Sequence, residues 1–243
     1  MNNEKYELLM EDSIEFYGIT LYRIKALRDI STTYGRVKRG DLGGYVQSKY
    51  NLSNKGNCWI YGDAKVYEGA TLNDDAHVYG YAKIHGKSDM WNNAAAGSNA
   101  EITGNCQIYD NAFLYDNVIV GGNSKIYGNA KIINNALIRE NAEIFGDARI
   151  TDNTFVKNNA KISGNALLIG EATIGIDADI KSINDYITIS PINNNVITFY
   201  KDSNGKVIVN HRAFNGYIDI FREKICNDEN MMLTIRYVED LLR

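Results

Sequence analysis

Apolar residues recur with a period of six over the middle half of the chain. Residues 56–181 form 21 consecutive six-residue units, of which 122–127, 128–133 and 146–151 are the clearest. The fifth place of every unit is apolar, from Ile60 to Ile180, and the third place is small, mostly alanine. These two places point to the same side of an extended strand. The pattern therefore predicts one short strand per unit, with one side buried.

The second place of each unit predicts a corner. It is asparagine or aspartate in most units, often after glycine, as at Gly122-Asn123 and Gly146-Asp147. These residue types accept the left-handed backbone conformation that tight corners need. Strands this short cannot bury an apolar side alone, so the units must stack on one another. The chain is therefore predicted to form an all-β solenoid.

The repeat resembles that of the hexapeptide-repeat left-handed β-helix proteins. The resemblance rests on the constant register of all 21 units. It implies a triangular prism with three units per turn, and hence a left-handed parallel β-helix of about seven coils. At about 4.8 Å per rung, the prism would be roughly 30–35 Å long.

Both ends of such a prism need caps, because a terminal rung would expose its edge. Strand-like segments at 5–9 and 19–27, with a turn at Gly18, predict a small N-terminal β cap over residues 1–45. We place the β-helix at 46–181, with Val46 and Leu52 continuing the column of third places.

The period stops after Ile180, and residues 182–243 are predicted to form a C-terminal α+β cap. Strands are expected at 186–190, 196–201 and 206–210, with a hairpin turn at 202–205. Two helices should follow. Their apolar faces are formed by Ile218, Phe221 and Ile225 and by Met231, Ile235, Val238 and Leu242.

Outward residues that are 18 apart should stack on one face of the prism, and two faces carry aromatic columns. One column holds Trp91, Tyr109, Tyr127 and Phe145, and the other holds Tyr61, Tyr79, Phe113 and Tyr115. Apolar stripes of this length are unusual on a monomer. They predict a homotrimer, which the family resemblance also implies, with Tyr61, Trp91, Tyr109, Tyr127 and Phe145 in the interface. The alternative is that stacked rings only stiffen the solenoid.

A trimer of prisms would create clefts between subunits, and such clefts are natural ligand sites. The candidate cleft residues are His77, Tyr79, Phe113, Tyr115, Lys131 and Arg149. The rings could stack on a planar group, and the two cations, one coil apart, could bind an anion such as phosphate. The alternative is that Lys131 and Arg149 are solvated surface residues.

Catalysis and metal binding have little support in the sequence. Many relatives in the resembled family are acyltransferases with a catalytic histidine beside a projecting loop, but no loop interrupts these units. The histidines His77, His85 and His211 do not gather at one place, and no His-x₄-His pair resembles the zinc carbonic anhydrase branch. We therefore expect no catalytic residue, no metal and no cofactor.

Composition indicates the compartment and excludes some partners. A net charge of −4 and a pI of about 5.5 argue against general nucleic-acid binding. The chain has no apolar run long enough to cross a membrane, and its first residues lack the layout of a signal peptide. Cys58, Cys106 and Cys226 are expected to be reduced thiols. These features favour a cytoplasmic protein.

A closer resemblance is to hexapeptide-repeat proteins of phages and prophages. It is carried by residues 21–27 (LYRIKAL), 40–44 (GDLGG), 51–53 (NLS), 56–61 (GNCWIY), 199–201 (FYK) and 216–224 (GYIDIFREK). It implies a non-catalytic binding protein that interferes with a host system in the bacterial cytoplasm, either by binding a host protein or by sequestering a nucleotide-like ligand. The alternatives are a hexapeptide-repeat acyltransferase and a structural virion component.

Overall fold

Parallel strands stack into a solenoid of about eight turns in this computed structural model, which describes residues 4–189, 196–226 and 228–242. The predicted all-β solenoid is confirmed. Each strand pairs in register with the strands one coil before and one coil after it, as Ile126 does with Ile108 and Ile144. The seven predicted coils are preceded by one further turn, which contains Val46 and Leu52.

Three parallel sheets form the sides of the solenoid, and we name each side for use below. The ladder face comprises Thr71–Leu72, Asp89–Met90, Gln107–Ile108, Lys125–Ile126, Glu143–Ile144, Lys161–Ile162 and Asp179–Ile180. The groove face comprises Trp59–Ile60, His77–Val78, Ala95–Ala96, Phe113–Leu114, Lys131–Ile132, Arg149–Ile150 and Leu167–Leu168. The third face comprises Lys65–Val66, Lys83–Ile84, Glu101–Ile102, Ile119–Val120, Leu137–Ile138, Phe155–Val156 and Thr173–Ile174.

The core follows the six-residue pattern without interruption. Every fifth-place side chain from Ile60 to Ile180 is fully buried, and so is the small third-place column that includes Ala130 and Ala142. A large and a small residue thus alternate along each coil, and this alternation fills the narrow interior. The predicted inward direction of Ile108 and Ile126 is confirmed.

Left-handed backbone and amide ladders shape the corners. Asn99 donates to Asn117 one coil away at 3.0 Å, Asn117 donates to Asn135 at 3.1 Å, and Asn135 donates to Asn153 at 3.2 Å. The residue before each of them has a left-handed backbone: φ is 57° at Ser98, 66° at Asp116, 64° at Asn134 and 60° at Asp152, and corner glycines such as Gly122 have the same conformation, with φ of 75°. The asparagines therefore join neighbouring coils, while the left-handed residue before each one makes the bend.

Two corner glycines provide a matched test of how tightly the coils stack. A Cβ at Gly122 would lie 2.4 Å from the Glu140 carbonyl oxygen, whereas one at Gly170, with nearly the same φ, would meet nothing within 4 Å. We expect Gly170→Ala to cost about 1 kcal/mol through its backbone conformation alone. Gly122→Ala should cost about 1–3 kcal/mol more because of the clash. Urea unfolding measures both values, and equal losses would contradict this account of the corner.

The N-terminal segment extends the third face with antiparallel strands. Tyr6–Phe16 pairs with Ile19–Ala26, which pairs with Leu42–Val46, and a small hairpin is formed by Ile30–Thr32 and Gly35–Val37. The first strand is longer than the predicted 5–9, and its pairing shifts between Leu9 and Ser13.

The first turn has a different register from the predicted one. Val46 pairs with Val66 and Leu52 with Leu72, so each lies 20 residues before its partner instead of 18. Both therefore continue the column of large fifth-place residues, and the prediction that they continue the third-place column is wrong. The two extra residues lie between Leu52 and Cys58, where the chain forms a loop that receives Lys5. The Lys5 ammonium donates to the Cys58 carbonyl oxygen at 3.0 Å and closes this end of the core.

The C-terminal cap combines a sheet with two helices. A short 3₁₀ turn, Ile183–Asp185, leads to an antiparallel sheet of Tyr186–Ile189, Ile197–Lys201, Val207–His211 and Phe214–Tyr217. The helices are α1, Ile218–Lys224, and α2, Glu229–Leu241. Predicted strand residue Ser190 lies outside the described ranges. Of the helices that the structure describes, none is long and apolar enough to span a membrane.

The cap has its own apolar core. Phe199 and Val209 of the sheet pack with Phe221 of α1 and with Ile235 and Val238 of α2. These helix residues belong to the faces that the sequence predicts. The fourth strand, Phe214–Tyr217, was not predicted from the sequence. It follows the third strand after a tight turn at 212–213.

Candidate functional site

Four aromatic side chains form a continuous stack on the ladder face. Trp91 and Tyr109 have ring centroids 4.6 Å apart, Tyr109 and Tyr127 4.8 Å, and Tyr127 and Phe145 5.0 Å, with the rings within 3° of parallel. The separation follows the rung spacing, because each ring occupies the same position one coil further on. All four remain partly exposed. The predicted column on this face therefore forms a flat aromatic strip.

The N-terminal hairpin covers the first part of the groove face. The Tyr34 ring stacks on Tyr79 with centroids 4.9 Å apart and also contacts Tyr61 and His77. Thr33 Oγ1 lies 3.3 Å from His77 Nδ1. The hairpin thus occupies the surface in front of the first two rungs of this face.

This arrangement divides the six predicted cleft residues into two groups. His77 is only 8% exposed and lies under the hairpin, while Tyr79 lies across Gly97, where an added Cβ would be 2.2 Å from the ring. Tyr115, one coil beyond Gly97, follows Tyr79 at 6.1 Å. Phe113, Lys131 and Arg149 lie on the later rungs, away from the hairpin. Tyr61, His77 and Tyr79 therefore contact the protein's own N-terminal segment, and the sequence did not predict these contacts.

Burial lowers the pKa of His77 below its ordinary value of 6.5. The neutral form is thus favoured in the folded protein, so the unfolded chain binds this proton more readily as the pH falls below about 6.5. We expect the wild-type protein to lose stability relative to His77→Gln between about pH 7 and pH 5. Urea unfolding of both proteins over this range measures the difference. A difference that does not change with pH would contradict the assignment.

The later rungs of the groove face form a depression of about 560 Å³. Its apolar surface comes from Phe113, Ile133 and Leu167, and its charged surface from Lys131 and Arg149. The backbone of Lys131 pairs with Phe113 on the preceding rung and with Arg149 on the following rung. Arg149 in turn pairs with Leu167 on the next rung. We call this depression the Lys131–Arg149 groove. It contains Phe113, Lys131 and Arg149 of the six predicted cleft residues.

The two cations of the groove have no carboxylate partner among the described residues. In the described ranges neither Lys131 nor Arg149 forms an ion pair, although Lys83 pairs with Glu101 at 3.1 Å on the third face. A guanidinium can bind two oxygens of a phosphate or carboxylate side by side, and the neighbouring ammonium adds a second charge. The groove therefore combines apolar contact surface with two positive side chains that form no ion pair within those ranges.

Other surfaces have fewer features of a ligand-binding site. His85 lies between Glu68 and Glu101, and His211 is in the C-terminal cap with its ring against Phe221. A second depression, of about 520 Å³, follows the Asn99–Asn153 corner, but it contains no cation and its amides already bond to one another. Across the residues that the structure describes, no group of three or more His, Cys, Asp or Glu side chains could hold a metal ion.

Comparison with known proteins gives no assignment. No protein-family model matches the chain, and no curated protein matches it either.

Proposed function

We propose that the protein is a non-catalytic binding protein whose Lys131–Arg149 groove holds a small anionic ligand with a planar or apolar part. The observation that carries this proposal is a pair of cations beside apolar side chains, neither of them in an ion pair among the residues that the structure describes. Phe113 offers a ring for stacking, and Ile133 and Leu167 offer aliphatic contact. Nucleotides combine a planar base with phosphate, so they are the ligand class that this chemistry fits best.

The positions of the histidines support binding over acyl transfer. A general base must lie within hydrogen-bond reach of the reacting group. His77 is under the hairpin, and neither His85 nor His211 lines the groove. Turnover of acetyl-coenzyme A with any acceptor, lost in His77→Ala or His85→Ala, would favour the acyltransferase alternative.

A homotrimer is part of the proposal, with the ladder face of one subunit against the groove face of the next. The strands before Tyr109, Tyr127 and Phe145 lead directly along the chain to the strands of the groove, so both surfaces lie on the same coils. A three-fold axis parallel to the prism would keep them at the same height. Each subunit would then present two different surfaces to its two neighbours, as a closed ring requires.

The biological role that we propose is interference with a bacterial host by a phage-encoded protein acting in the cytoplasm. This step rests on the resemblance of residues 21–27, 40–44 and 216–224 to phage and prophage hexapeptide-repeat proteins. Sequestering a host nucleotide would use the groove directly. Binding of a host protein is the alternative within this role, and a structural virion role predicts the protein in purified particles without a soluble ligand.

Titration calorimetry with AMP, cyclic AMP and inorganic diphosphate tests the groove. We expect at least one nucleotide to bind, and the double substitution Lys131→Ala with Arg149→Ala to weaken it by about tenfold or more, because both charges are lost. Arg139→Ala is the matched control, since Arg139 is an exposed cation that follows the third-face strand Leu137–Ile138, away from both proposed contact faces. No heat with any ligand, or equal binding by the double variant, would overturn the proposal.

A further inference from the structure

The order of side chains along the groove has a definite polarity pattern. Phe113, Lys131, Arg149 and Leu167 occupy the same outward place on four successive rungs. At about 4.8 Å per rung, Phe113 and Leu167 are separated by about 14 Å along the prism, with both cations between them. The groove is therefore apolar at its two ends and positive in its middle.

We propose that the groove takes a dinucleotide, a ligand with two bases joined through a central phosphate linker. This inference rests on the proposed function and specifies the ligand class. One base stacks on Phe113, the linker lies against Lys131 and Arg149, and the second base packs on Leu167. Burying about 55 Å² of apolar surface raises affinity by about tenfold, so a second base packed on Leu167 has a measurable effect.

The same pattern disfavours ligands of other shapes. A mononucleotide places its charge at one end and would leave either Phe113 or Leu167 without a partner. A fatty acid also has its charge at one end. A longer nucleic-acid strand needs a track of cations, whereas the groove has two and the whole chain has a net charge of −4. Two bases with the anions in the middle match the groove along its whole length.

The test compares diadenosine diphosphate with AMP by titration calorimetry on the full-length protein. We expect the dinucleotide to bind about tenfold more tightly than AMP, because only it also buries apolar surface against Leu167 at the far end of the groove. Leu167→Ala should remove most of this advantage and leave AMP binding on Phe113 unchanged. Phe113→Ala should weaken both ligands. Leu137→Ala, an equivalent partly exposed leucine on the third face, is the control and should change neither affinity.

The outcomes separate this inference from the proposed function. Equal affinities for AMP and diadenosine diphosphate, both lost in the Lys131→Ala and Arg149→Ala double variant, would overturn the dinucleotide assignment and leave the groove as an anion site. An advantage of the dinucleotide that survives Leu167→Ala would also overturn it. Binding of neither compound would overturn both proposals. The affinity ratio in the wild-type protein is itself one test, and that ratio does not depend on how well any variant folds.

Discussion

Replacing Ile126 by alanine is expected to lower the free energy of unfolding by about 2–5 kcal/mol. Ile126 is fully buried in the middle of the solenoid, and its strand pairs with those of Ile108 and Ile144. The narrow interior leaves little room for neighbouring side chains to close the cavity, since the third-place columns beside it are already filled by small residues. Urea unfolding followed by far-ultraviolet circular dichroism measures the loss.

Lys125→Ala is the control for this substitution because Lys125 precedes Ile126 in the same strand and points to solvent. It should change the free energy of unfolding by no more than about 0.5 kcal/mol. A loss at Ile126 as small as that at Lys125 would mean that the alternation of large and small residues does not hold the coils together.

Replacing both Tyr109 and Tyr127 by glutamate is expected to convert a trimer into monomers. In the proposed assembly these rings face a neighbouring subunit, so two glutamates would bury unpaired charges at the contact. A glutamate at position 127 would also lie near Glu143, which now accepts a hydrogen bond from the Tyr127 hydroxyl at 2.8 Å. Light scattering at micromolar concentration distinguishes the two masses.

Tyr81→Glu is the control for the change of residue type, since Tyr81 is a highly exposed tyrosine at a corner, outside the aromatic strip. This variant should keep the trimer mass. A monomer mass for the wild-type protein, or a trimer mass for the double variant, would exclude the ladder face as the subunit contact.

The sequence allowed the solenoid to be predicted because its period acts on every coil. Ile126 shows that the fifth place of the unit is buried and Ala130 that the third place is buried and small. The same assignment then applies to every unit from Ile60 to Ile180. The first turn escaped prediction because the period has two extra residues between Leu52 and Cys58. The pairings of Val46 with Val66 and of Leu52 with Leu72 in the structure reveal that shift.

The candidate site was predictable to the extent that it depends on the same period. Phe113, Lys131 and Arg149 are 18 residues apart, so the repeat alone aligns them on neighbouring rungs. The contact of Tyr34 with Tyr79 could not be predicted, because it joins segments that no repeat relates. The one sign of this arrangement in the sequence was Gly97, a glycine in a column of larger residues. The Tyr79 ring lies over the space that this glycine leaves.

A crystal structure of the protein with AMP tests the central claim most directly. We predict that phosphoryl oxygens lie within hydrogen-bond distance of Lys131 Nζ and the Arg149 guanidinium, with the adenine ring against Phe113. A nucleotide bound elsewhere, for example along the Asn99–Asn153 corner, or a groove without nucleotide at saturating concentration, would contradict the claim that this groove is the ligand site.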